Sequence, residues 1–172
     1  MKKAGYFILL LLFANCTTSK VVVDYDSEVN FSQFSSFNFY EDVGAGLNEL
    51  DVKRVTTIIT NTLKVKGLEI SNNEEVLINV VVKLSEARNN NTIGVGIGSG
   101  GRNGGFGISG GIPIGGKKLN ELFKIELVNA KTNTLIWEGT LNSTIKEKRT
   151  PEEKEIHYKN VVVQILNEYP PK

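Results

Sequence analysis

Few residues of this 172-residue chain combine a reactive side chain with a usable pattern. Cys16 is its only cysteine and stands directly behind the apolar run ILLLLFAN. A thiol in that place is nucleophilic enough to be alkylated. A lone cysteine excludes an internal disulfide framework and any multi-cysteine metal site. His157 is the only histidine, beside Tyr158 and close in sequence to Glu153 and Glu155. A catalytic histidine needs a positioned nucleophile or carboxylate, and the sequence indicates none, so His157 reads as a surface residue. Asp24 and Asp26 share a strand face and offer oxygen ligands. Two carboxylates without a ligand-rich loop are too few to hold a cation, and a strand-end turn is expected there. No catalytic residue, metal site or cofactor is therefore assigned.

The segment 94–116, GVGIGSGGRNGGFGISGGIPIGG, holds 12 glycines in 23 positions. Gly96, Gly98 and Gly101 satisfy the spacing of a dinucleotide fingerprint, but no helix pattern follows to present its N-terminus to a phosphate. Gly111 to Lys118 nearly matches a P-loop, with Lys118 standing where a Ser or Thr must reach magnesium. Nucleotide binding is set aside. Two readings stay open. One is a flexible loop between two strands. The other is a flap or edge that docks on a partner or a membrane, with Gly94, Gly96, Gly98, Phe106 and Ile108 as contacts, because glycine strips admit close approach. Lys146, Lys148 and Arg149 alternate with Glu147 as a solvated loop, within reach of anionic headgroups. Trp137 lies in an alternating strand and is read as packing.

The elements that must carry these residues follow from periodicity. VVVDYD (21–26) and the alternation of Phe37 and Phe39 read as strands, with Phe31 and Phe34 spaced as in a helical turn. Residues 47–66 read as a helix with Leu47, Leu50, Val55, Ile58, Ile59, Thr62 and Leu63 on one side, Asn48 or Asp51 near its start and Gly67 just past its end. Val76, Ile78, Val80, Val82 and Leu84 alternate in a strand. Phe123, Ile125 and Leu127, then Leu135, Trp137 and Leu141, form a hairpin turning through Asn129–Asn133. Thr150 as N-cap, Pro151 at N1, and Glu152 and Glu153 in the first turn start a last helix. Its expected stripe is Ile156, Val162, Val163, Ile165 and Leu166. Strand pairs followed by helices predict an α+β domain: a mainly antiparallel sheet, two helices packed on one face, ββα-type halves and a glycine-rich loop between strands.

Lys2 and Lys3 followed by uncharged Ala4–Ala14 describe a secretory signal peptide; 11 residues fall well short of the roughly 20 that cross a bilayer. FANC resembles a bacterial lipobox. That resemblance implies removal of residues 1–15 and acylation of Cys16 with palmitate-type chains, although Asn15 departs from the usual small residue. Two or more acyl chains give stable anchoring. Removal of Lys2 and Lys3 leaves 18 basic and 19 acidic residues, a balance that gives no electrostatic case for nucleic acid. Thr17 follows the cysteine without an aspartate, so the expected address is the periplasmic face of an outer membrane. Residues 16–20 make a tether on the order of 14 Å long.

The lipobox, VVVDYD, NFSQFSSFNFY, LNELDVKRV, the glycine-rich middle, IELVNAKTNTLIWEGT and ILNEYPPK together resemble the bacterial lipoprotein family called domain of unknown function 4136. The resemblance spans the domain expected over 21–172 and implies an α+β lipoprotein, with no activity or catalytic residues to carry over. The chain is thus read as a membrane-anchored, non-enzymatic binding or structural module of the envelope with a protein partner; the alternative is a carrier of a small hydrophobic or lipid ligand between sheet and helices. On the docking reading of the glycine segment, deletion of 99–111 leaves folding intact and abolishes partner capture in crosslinked envelopes; unchanged capture refutes it.

Overall fold

The structure, a computed structural model, describes residues 20–87, 92–93, 112–113 and 116–171. In chain order its elements are β1 (Val21–Tyr25), a 3-10 turn (Phe31–Gln33), β2 (Ser36–Phe39), α1 (Glu49–Val65), β3 (Glu69–Ile70) and β4 (Val76–Glu86). There follow β5 (Thr92–Ile93), β6 (Ile112–Pro113), β7 (Lys118–Asn129), β8 (Thr134–Lys146) and α2 (Pro151–Leu166). Six strands form one sheet in the order β1-β8-β7-β4-β2-β3, and β5 pairs with β6 separately. Pairing is antiparallel except that β2 runs parallel to both β3 and β4. The domain is α+β, as its periodicities predict. The order strand, strand, helix occurs near both ends of the chain, but only β7 and β8 are neighbours; β1 and β2 flank the central β8-β7-β4.

One face of the sheet carries the core. Val76, Ile78, Val80 and Val82 on β4, and Phe123, Ile125 and Leu127 on β7, are buried beneath the helices. Fully burying such a side chain contributes about 1.5–3 kcal/mol. Leu84 continues their alternation, yet it is exposed near the far end of β4. The β7–β8 turn forms because the Asn129 side chain accepts the backbone N–H groups of Lys131 and Thr132, while Asn133 adopts φ 53°. A bulge then pairs Leu127 with Trp137 and Val128 with Leu135, leaving Ile136 as the extra residue. Ile136 and Trp137 both turn inward and Leu135 is exposed, which corrects the expected inward set.

Helix α1 starts at the Asn48 cap, whose side chain accepts the Asp51 N–H. It ends in a Schellman arrangement: Leu68 N–H donates to the Leu63 carbonyl and Gly67 N–H to Lys64, with Gly67 at φ 90°. Its buried stripe is Asp51, Val55, Ile58, Ile59 and Leu63, and Leu50 points to solvent. Helix α2 opens on a capping box between Thr150 and Glu153, with Pro151 in the first turn. Tyr158, Val161, Val162, Ile165 and Leu166 form its buried stripe, an i, i+3, i+4, i+7, i+8 series that excludes the expected Ile156. Lys154 reaches Asp51, and Lys66 donates to the Tyr169 carbonyl, so the helices lie side by side in the same direction. Tyr169 closes the core edge-on against Trp137 and Phe31 at ring separations of 5.6 and 5.8 Å.

Two local devices fasten β4 to the chain before α1. The Glu75 carboxylate accepts the N–H groups of Ser35 and Ser36 at 2.7 and 3.2 Å, and the Ser35 bond holds its carboxyl below the usual range. Farther along, Gly44 N–H donates to Val80 and Val82 N–H to Ala45. Gly46 sits at φ 91°, and a Cβ there would stand 1.9 Å from the Val82 carbonyl oxygen. Gly67 shares the same backbone region with nothing within 4 Å. Gly67→Ala is therefore expected to cost only the strain of a left-handed alanine, about 1–3 kcal/mol. Gly46→Ala must also displace the strand contact, so urea unfolding should show a distinctly larger loss for it than for Gly67→Ala.

Candidate functional site

The residues that the sequence singles out for attachment and docking, Cys16, Gly94, Gly96, Gly98, Phe106 and Ile108, lie outside the described residues. The element that follows the glycine segment is a strand, β7, with Lys118 at its first position, so the P-loop-like run leads into no helix. Lys117 instead bridges Glu86 at 2.8 Å and Glu147 at 3.7 Å. Asp24 accepts the Tyr25 N–H and Asp26 the Glu28 N–H, which makes them local turn acceptors. Among the described residues no three His, Cys, Asp or Glu side chains gather as metal ligands. Trp137 is wholly buried, in keeping with a packing role.

The unexpected chemistry is a charged cluster under the start of α2. The capping box fixes the first turn of α2, and the helix then carries His157 and Tyr158 down toward β7. His157 is half-buried, and its Nε2 lies 2.5 Å from Oε2 of Glu121, so it is not the surface residue expected. Glu121 is only 1% exposed and stands on the helix-facing row of β7, one step before Phe123. The Ser143 hydroxyl, opposite it on β8, donates to the same Oε2 at 3.3 Å. Arg149, expected to be solvated, is largely covered: its Nη2 lies 3.9 Å from the other Glu121 oxygen, and its guanidinium sits over the Tyr158 ring at 5.6 Å. Burial pushes the Tyr158 hydroxyl up to about 12.

Ser, His and Glu meet here, but in the wrong order for nucleophilic catalysis. A hydroxyl is activated by an imidazole that is itself oriented by a carboxylate. In this cluster the carboxylate is central, and both Ser143 and His157 spend their bonds on it. The remaining Glu121 oxygen and the Nε and Nη1 of Arg149 have no hydrogen-bond partner among the described residues. A second buried acid, Asp51, is better satisfied. Burial raises its pKa, but bonds from Lys154, Arg54 and Asn48 outweigh that and hold it below the usual range. Glu121 had one readable signal, a charge in phase with the apolar series 121, 123, 125, 127. Its partners 22 to 36 residues away had none.

The family model described as Domain of unknown function (DUF4136) matches residues 21–171. No curated protein sequence matches the chain. Among solved structures, the chain is similar to a PDZ domain protein from Parabacteroides distasonis. That likeness has TM-score 0.59 at 18% identity, over 90% of this chain and 36% of the other, and it concerns the fold alone. Two PelC dodecamer structures from Paraburkholderia phytofirmans match with TM-scores 0.49 and 0.48. Their identities are 11% and 12%, over 87% and 86% of this chain and 95% of each of theirs.

Removing one partner of a buried hydrogen-bonded carboxyl leaves it unsatisfied, at a cost of about 1–3 kcal/mol, whereas replacing the set with apolar groups is often neutral. His157→Ala is accordingly expected to lower unfolding stability by about 1–3 kcal/mol. The double variant Glu121→Leu with His157→Leu should lose less, because leucine continues the apolar row. Chemical denaturation of the two variants distinguishes a structural cost from a net stabilising cluster; a double variant as unstable as His157→Ala means the latter.

Proposed function

The chain belongs to the DUF4136 family, and on that premise we propose that it is a lipid-anchored envelope protein that works by binding a protein partner rather than by catalysis. Cys16 carries the lipid, and the periplasmic face of the outer membrane is the address. The observation that carries the reading is the position of β1: it begins at Val21, five residues past Cys16, and among the described residues it is an edge strand paired on one side only. Val22 and Tyr25 on it are 61% and 44% exposed. An edge strand with free backbone groups and exposed side chains accepts a strand from another chain, with pockets between alternate side chains to select it. The glycine segment, with Gly94, Gly96, Gly98, Phe106 and Ile108, supplies a second contact.

Attachment on this reading rests on the lipid at Cys16; among the described residues no helix is long and apolar enough to cross a membrane. The carrier alternative needs room between the layers. Phe37, Ile59, Phe123, Ile125 and Trp137 fill that space at 0% exposure, so loading a ligand there requires the sheet and helices to part. The Glu121 cluster supplies no relay for an enzyme.

Cys16→Ser is expected to move the protein from the membrane to the aqueous fraction, with an N-terminus that carries no lipid. A photo-crosslinking residue at Val22 should trap a partner in intact envelopes, and the same residue at Lys131 should not. Native protein that fractionates with the aqueous phase removes the anchor from this reading; equal capture at both positions removes the edge.

A further inference from the structure

Strand register sets which end of the domain an anchor approaches. β1 is antiparallel to β8 with Val21 opposite Leu141. The chain before Val21 therefore heads toward the β8 terminus at Lys146. Cys16 lies five positions before Val21, and Lys146 lies five positions after Leu141. At about 3.3 Å per residue, a fully extended tether draws level with Lys146 and goes no farther. Lys118 stands at that level as the register partner of Lys146, and Glu86 is beside it across β7 as partner of Leu119. The loop 147–150 follows Lys146. The opposite end, at Thr134, is seven β8 residues beyond Leu141, or about 23 Å, and the same tether, on the order of 14 Å long, does not reach it.

The exposed charges differ between the two ends. Lys20, Lys118, Lys146 and Lys148 are exposed on the tether side. Lys146 shares its charge with Glu153 at 3.2 Å, Glu86 and Glu147 share the single charge of Lys117, and Glu152 is exposed beside the loop. The far end exposes Asp26, Glu28 and Glu69 against Lys131 and Lys64, the latter 3.7 Å from Glu69, and the outer edge of β1 carries Asp24. An anionic surface attracts the first end and repels both the far end and the β1 edge.

We propose that the domain docks end-on against anionic phospholipid headgroups through Lys118, Lys146 and Lys148, an inference that rests on the lipid at Cys16. The β1 edge then stands upright from the membrane with its partner-binding groups in solution.

The native lipidated protein, reconstituted into vesicles of phosphatidylcholine or of phosphatidylcholine with phosphatidylglycerol, is treated with an amine-acylating reagent and read by mass spectrometry. Phosphatidylglycerol is expected to slow labelling of Lys118, Lys146 and Lys148 about fivefold and to leave Lys131 unchanged. Lys118→Glu with Lys148→Glu should return Lys146 to its rate on phosphatidylcholine. Equal rates on the two vesicle types, or slowing at Lys131, overturn the docking. Protein that floats with neither vesicle overturns the anchor itself, which is a separate failure.

Discussion

Helix α2 can seat on the sheet because β8 offers no side chain at Gly139. A Cβ there would lie 2.6 Å from both Ile165 Cγ2 and Trp137 Cη2, closer than real contacts allow. With that space left open, Ile165 drops against the backbone of β8, and Val162 and Leu166 reach full burial. The height of α2 over the β7–β8 hairpin then sets where its earlier turns fall. His157, two turns before Ile165, arrives over Glu121, and Lys154 arrives beside Asp51. Through Lys154 the placement passes on to α1. One missing methyl group in a strand thus governs the helix pair, the core layer and the ionic cluster.

The cluster at one end of α2 and the apolar stripe at the other do different work. Toward the C-terminus, Val161, Val162, Ile165 and Leu166 gain from burial alone. Toward the N-terminus, Glu121 is desolvated and only partly compensated, since one of its oxygens and two Arg149 nitrogens lack partners among the described residues. Such a group contributes little net stability, but it disfavours other positions for the helix start, because any slip leaves the carboxyl unpaired. Asp51, with three side-chain partners, does the same for α1 at lower cost.

Local sequence patterns made most elements readable. The Thr150–Pro151–Glu153 start of α2, the Gly67 stop of α1 and the alternation of Phe123, Ile125 and Leu127 are encoded within a few residues, and each appears in the structure. The misplacements occur where the outcome depends on distant chain. Leu135 and Ile136 exchange places because a bulge against Leu127–Val128 resets the phase, and nothing within β8 announces it. Leu84 has the right phase but sits near the far end of β4, so phase alone does not bury it. Ile156 loses to Tyr158 and Val161 because the stripe is fixed by the face that meets Gly139. The parallel pairing of β2 with β4 is a matter of sheet order, which periodicity does not carry. His157 looked solvated because its carboxylate lies 36 residues away on another element.

On the proposed function, attachment and recognition would meet on β1, and that would place a mechanical demand on a short strand. β1 has five residues and, among the described residues, one neighbour, β8. A load on the tether is delivered along the strand axis, so the β1–β8 ladder is sheared as a whole and its hydrogen bonds share the load. Half-buried Val21 and Val23, packed against the core cluster, add side-chain anchorage on the same strand. A partner strand added on the open side of β1 would give the edge a second ladder and stiffen it against the same pull. Under the proposed function, tether tension and partner binding would be coupled through this one strand.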